Sequence, residues 1–253
     1  MRCVPALALL ALITLPSAAS AQGLVWTLPP EDGTAATYAG TYTQILRRQD
    51  SNEQDVELSF NRELRVRSVG GREIEWRGQT QPGRWIEFEQ TTQTGGAVQD
   101  IGPGGTVIVK LLVPEAYFDG SVTDPNGIPK TSIPFVRGYE QRDGGAIAEL
   151  TGGAYQPFPS ITLLRMTKAL NESNGAWSAE EVVESPGSRL ELNTQLVRDD
   201  QTPFGVQSWT VTSKQSVKRP AQVRDAFTLT SETTESMELK RVESGAVSAI
   251  DRD

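Results

Sequence analysis

From Val56 to Arg67 the chain alternates. Val56, Leu58, Phe60, Leu64 and Val66 fall on even positions. Glu57, Ser59, Asn61, Glu63, Arg65 and Arg67 fall on odd ones. A period of two places one set on a buried face and the other in water, which only a half-buried β-strand does. The run is long for a single strand, so a bulge or bend is expected near Asn61.

The same chemistry recurs along the chain. Segments 72–77 and 84–90 read as a hairpin around a Gly/Pro-containing turn. Ile74, Trp76, Ile86 and Phe88 share one parity there, and Trp85 has the other, where it can stack on an exposed Arg77. Residues 106–114, TVIVKLLVP, are almost continuously apolar and suit a central strand stopped by Pro114. Further strands are expected at 188–198, 206–217, 223–231 and 236–242, with Leu190, Leu192 and Leu196 on one face. Asp124-Pro125-Asn126-Gly127 has the chemistry of a type I turn. The best helical pattern is 159–175, capped by Ser160 and ended by Asn174-Gly175. Ser178 to Glu181 resembles a capping box, but Val182-Val183 favours strand. Gly-Gly pairs at 70–71, 95–96, 104–105, 144–145 and 152–153 are irregularly spaced, which argues for turns and loops and against a repeat array. The loosest segments are 90–105 and 140–157.

The chain opens MRCVPALALLALITLPSAASAQG. A basic residue, a short apolar run and Ala19-Ser20-Ala21 are the marks of a secretory signal peptide cleaved after Ala21. Residues 22–253 then form one antiparallel β-rich domain, long enough to bury about 70–75% of its extended surface. No later stretch is apolar enough to span a bilayer as a helix. The only cysteine is Cys3, so the exported chain has no disulfide framework. Localisation is expected to be periplasmic or secreted.

The chain contains no histidine. That removes Ser-His-Asp and Cys-His catalysis and histidine-ligated zinc. With 24 basic against 32 acidic residues, it is a poor nucleic-acid ligand. No cofactor is expected. Gly102-Pro103-Gly104-Gly105-Thr106 lacks the Gly-Lys-Ser/Thr of a phosphate loop. Asp119, Thr123, Asp124 and Asn126 do not match the spacing of a calcium loop, so no metal site is expected either. Asn171-Glu172-Ser173 fits a glycosylation acceptor, which matters only where the host glycosylates.

The aromatic residues are the remaining candidates. Pro203 presets its backbone, Gly205 permits a tight bend, and Phe204 between them can fold inward as a plug. Trp209 and Val211 then share a strand face. Trp76, Phe88, Phe204 and Trp209 are the candidate ligand-binding residues, lining an apolar face.

The strand-rich pattern from 37 to 242, with the Pro203-Phe204-Gly205 corner leading into Trp209, resembles secreted β-rich bacterial proteins of unknown function. In outline it is similar to the half-barrel of periplasmic lipoprotein carriers, whose curved antiparallel sheet holds acyl chains on its concave face. That likeness carries no site residue over. The expectation is a mainly β protein, a curved antiparallel sheet or half-barrel with one or two short helices. It implies an exported, non-enzymatic protein that binds a lipid-like small molecule or a cell-envelope protein partner. Two alternatives stand beside it: a β-sandwich-like surface or carbohydrate-binding module, and a hydrolase using two carboxylates, with Glu87, Glu89, Glu115 and Asp119 as candidates.

Overall fold

The computed structural model describes residues 30–48, 54–94, 104–118, 133–155, 171–173, 176–199, 201–218 and 226–252. The leader, the turn at 124–127, Asp119 and residues 159–170 of the helical pattern lie outside them. The strands are β1 (Ala35–Leu46), β2 (Val56–Trp76), β3 (Gln79–Thr94), β4 (Gly105–Pro114), β5 (Ile133–Arg142), β6 (Ala148–Tyr155), β7 (Asn171–Ser173), β8 (Ala176–Glu184), β9 (Ser188–Arg198), β10 (Val206–Val217) and β11 (Thr228–Glu243). They form one antiparallel sheet ordered β6-β5-β4-β3-β2-β1-β11-β10-β9-β8-β7. Consecutive strands pair with each other, β6 and β7 excepted, and β1 pairs with β11. The result is an up-and-down meander closed where a barrel normally closes, at its first and last strands. It is open between β6 and β7.

The sheet curves strongly. β2 and β5 approach within 8 Å between Cα atoms although two strands separate them in the ladder. Three flat spacings would hold them roughly 14 Å apart. One face carries the main core, including Leu64, Phe88, Val109, Leu111, Leu196 and Met237. The other carries charge over most of its width, with Glu63, Arg65, Glu191, Lys214, Glu232 and Glu238 on the opposite parity. That is the reverse of a membrane barrel, whose outer band is apolar.

Several sequence expectations need correction. β2 keeps its register through Asn61, and the bulge lies instead at Val69-Gly70, where Ser68 faces Ile86 but Gly71 faces Arg84. Gly70 has φ 118°, a conformation that a residue with a Cβ resists. One extra residue flips the parity. Ile74 and Trp76 therefore share a face with Trp85, not with Ile86 and Phe88. Trp85 is 3% exposed and stacks on Tyr139 at 6.0 Å, while Arg77 lies over Trp76. The hairpin turns at Arg77-Gly78, both at positive φ, the pattern of a type I′ turn. Pro82 and Gly83 sit inside β3 instead; Pro82 lies beyond the last β4 pair, so its missing N–H leaves no gap in that ladder.

The described residues 226–242 contain one strand, β11, where two were expected over 223–242. Residues 171–173, assigned to the end of a helix, form β7. Ala176–Glu184 is strand, as Val182-Val183 favoured. The expected loose segment 140–157 contains the end of β5 and all of β6. Among the described residues the helical turns are two short 3-10 turns, Glu115–Phe118 and Pro203–Gly205.

Both turns sit at one end of the strands, and Phe118 and Phe204 point from them into the main core at 4% and 2% exposure. Burying a phenylalanine there contributes about 1.5–3 kcal/mol. Tyr38 donates its hydroxyl proton to the Val206 carbonyl at 2.9 Å, tying β1 to the start of β10. Arg84 braces the same end. It donates to the Pro30 carbonyl at 3.0 Å, to Ser68 Oγ at 3.2 Å, to Asp32 and to Glu115. This end of the curved sheet is plugged.

Candidate functional site

The register places concave-face residues in rows running across the strands. Past the rows of Ala36 and Tyr38 at the plug end, Arg62, Gly40, Met237, Trp209 and Leu196 follow one another across β2, β1, β11, β10 and β9. The next row is Phe60, Tyr42, Glu235, Val211 and Thr194. Beyond it come Leu58, Gln44, Thr233, Ser213, Leu192 and Glu181. The last row is Val56, Leu46, Ser231, Gln215, Leu190 and Val183.

Burial falls along this series. In the first two rows Phe60, Val211, Met237 and Trp209 are 2–8% exposed. In the last row Val56 and Leu190 are half-buried, Leu46 is 38% exposed and Val183 is 50% exposed. On the concave parity Leu46 and Val183 are thus accessible at the end opposite the plug, and Val242, paired with Ala36, is 48% exposed at the plug end. The end opposite the plug is termed the mouth.

Between mouth and plug lies a buried polar cluster. Arg62 and Glu235 form an ion pair, with side chains 6% and 3% exposed. Gly40, on the strand between them, has no side chain to obstruct the bridge. A Cβ there would lie 1.8 Å from the Ser236 carbonyl oxygen. The Trp209 indole N–H donates to the second Glu235 oxygen at 2.8 Å, and Arg62 Nε donates to Thr92 Oγ1 at 3.2 Å. The Arg62 guanidinium stands 4.2 Å from the Tyr42 ring centre. Burial pushes the Tyr42 phenol above its ordinary pKa, and the positive charge of Arg62 opposes that shift. Thr194 Oγ1, in the same row as Glu235, is buried without a partner. Breaking one member of such a pair strands the other charge, at a cost of about 3–5 kcal/mol.

Three of the four residues singled out from sequence are buried on this face. Phe88, Phe204 and Trp209 belong to the one concave-face core. Trp76 does not. The bulge in β2 sends it to the opposite face, against a second small core of Ile74, Trp85, Leu112, Tyr139 and Ile250. Sequence reasoning missed Arg62 and Glu235. Arg62 left a signal, as a charge on the apolar parity between Phe60 and Leu64. Glu235 left none that could be separated from its polar neighbours.

The three candidate carboxylates within the described residues are engaged by arginine. Glu87 and Glu89 share Arg67, and Glu115 is held by Arg84 at 2.8 Å. Among the described residues no three Asp or Glu side chains gather closely enough to hold a metal ion. A shallow groove of about 430 Å³ lies mainly on the outer face of β8 to β10, where Glu180, Glu191, Asn193, Thr212 and Lys214 give it a polar lining. No protein-family model matches the chain, and no curated protein matches it in sequence.

Proposed function

We propose that the protein is an exported, non-enzymatic carrier that holds an acyl-chain, lipid-like ligand in the mouth of its curved sheet. The observation that carries the reading is the set of accessible, concave-facing apolar side chains Val56, Leu46, Leu190 and Val183, at the two ends of a row whose middle holds Ser231 and Gln215. Water against such a row is unfavourable by about 25 cal/mol per Å² of apolar area, and an alkyl chain relieves that cost. The plug behind it sets the depth of entry. The buried Arg62–Glu235 pair closes the floor without a free charge. Export rests on the leader ending at Ala21.

The test is titration with a fluorescent fatty-acid probe. Wild-type protein should bind it saturably, and Leu190→Asp should weaken binding at least tenfold with its circular dichroism unchanged. Saturable binding that survives Leu190→Asp and Leu58→Asp would place the ligand elsewhere. Absence of binding would remove the proposal.

A further inference from the structure

The outer face of β2 to β5 is covered by a segment that follows β11. After β11 the chain turns at Ser244-Gly245, where Gly245 has φ 73° and the Ala246 N–H donates to the Gly33 carbonyl at 2.8 Å. Residues 246–252 then cross that face without joining the sheet ladder. They are held by side chains of the strands beneath them.

Glu87 is fully buried and points at this segment. Its carboxylate accepts the Ser248 hydroxyl at 2.7 Å, the Ala249 N–H at 3.0 Å and the Ile250 N–H at 3.2 Å, with Arg67 behind it. Lys110, 2% exposed, donates to the carbonyls of Ile250 at 3.1 Å and Arg252 at 2.6 Å, and lies over the Trp85 ring. Ile250 is 0% exposed in the apolar cluster of Trp85, Leu112 and Tyr139. An anion therefore reads two successive amides, a cation reads two carbonyls, and a pocket reads one aliphatic side chain. Charge-assisted hydrogen bonds to the backbone and a pocket for one side chain together recognise the bend at Ala249-Ile250. Burying two charges to hold a segment that adds no strand is a costly way to cover a sheet, since apolar packing covers it as well.

We infer that this face is a peptide-recognition site, with residues 246–252 as its tethered resident. It takes a peptide that bends at the read positions, with a hydroxyl residue, then a small one, then an aliphatic one. When the resident leaves, the same groups bind such a peptide in trans. While it stays, it excludes competitors, because a tether of this length gives an effective concentration in about the millimolar range.

The experiment inserts a protease site between Gly245 and Ala246 of the full chain and cleaves it after folding. The released segment is removed by gel filtration, and labelled peptide AVSAIDR is titrated in. The expected result is a body that keeps its near-ultraviolet circular dichroism and binds the peptide saturably. Aspartate in place of the isoleucine should weaken binding by at least about tenfold, the effect of losing one buried aliphatic chain. Glu87→Gln in the body should also weaken it. Uncleaved protein should bind about a hundredfold more weakly.

A folded body that ignores the peptide, or binds the aspartate peptide equally, would overturn the inference. So would a body that unfolds once the segment is gone. Hydrogen exchange on the intact, unaltered protein gives an independent reading. The amides of Ala249 and Ile250 should exchange through local opening, with little dependence on low urea. Exchange only through global unfolding would make the segment ordinary core and overturn the inference.

Discussion

Phe204 gives a sharp test of the plug because two physical terms act on it in opposite directions. It is 2% exposed, yet its backbone sits at φ 67°, ψ 2°, the left-handed region. Phe204→Ala removes a buried ring and should cost about 3–5 kcal/mol. It keeps the Cβ and therefore the left-handed penalty of about 1–2 kcal/mol. Phe204→Gly removes the same ring and that penalty as well. The looser unfolded chain of glycine offsets about 0.4–1 kcal/mol of this relief. Phe204→Gly should thus be about 0–1.6 kcal/mol more stable than Phe204→Ala, the reverse of the usual order in a strand or helix. Urea unfolding followed by tryptophan fluorescence, with midpoints compared at a common slope, measures both. A glycine variant less stable than the alanine variant would refute the backbone reasoning. A loss below about 1 kcal/mol in both would refute the plug.

Other expectations follow from the interior. Arg62→Met and Glu235→Leu should each cost about 3–5 kcal/mol, while the double variant recovers much of that loss because no charge is left stranded; additive losses in a double-mutant cycle would contradict the pairing. Burial holds the Tyr38 phenol protonated above its ordinary pKa of 10.0, and Tyr42 shifts the same way. A raised folded-state value contributes stability that is intact below pH 10 and is lost as pH rises above it, so urea midpoints should fall in that range and fall less steeply in Tyr38→Phe; identical slopes would sink the assignment. Gly40→Ala should lose about 1–3 kcal/mol by overpacking against the Ser236 carbonyl, and an unchanged thermal midpoint would show that the strands part there easily. Intact mass of the exported protein should begin at Gln22, and a full-length mass would remove the leader assignment.

What could be read from sequence was local. The alternation of Leu190, Leu192 and Leu196 and the Pro203 corner marked β9 and β10 with their observed bounds, 188–198 and 206–217. The apolar run at 106–114 marked β4 within one residue. What could not be read was set at long range. Gly70-Gly71 was visible as a pair, but nothing in it says that the chain inserts one residue and turns Ile74 and Trp76 to the other face. Trp85 on the charged parity reads as exposed until Ile250, far along the chain, is laid beside it. Arg62 and Glu235 are 173 residues apart, and their pairing depends on β1 lying against β11 with a glycine in the path. Helical spacing at 159–175 took no account of the strand pairing that claims Asn171–Ser173.

The central claim is that the accessible apolar mouth holds an acyl chain. Native mass spectrometry of protein recovered from the exported fraction, followed by organic extraction of the same sample, tests it most directly. The account expects an added mass that is lost on delipidation, returns when a fatty acid is supplied, and is absent from Leu190→Asp. Protein that carries no extractable lipid and gains no mass from added fatty acid would contradict it.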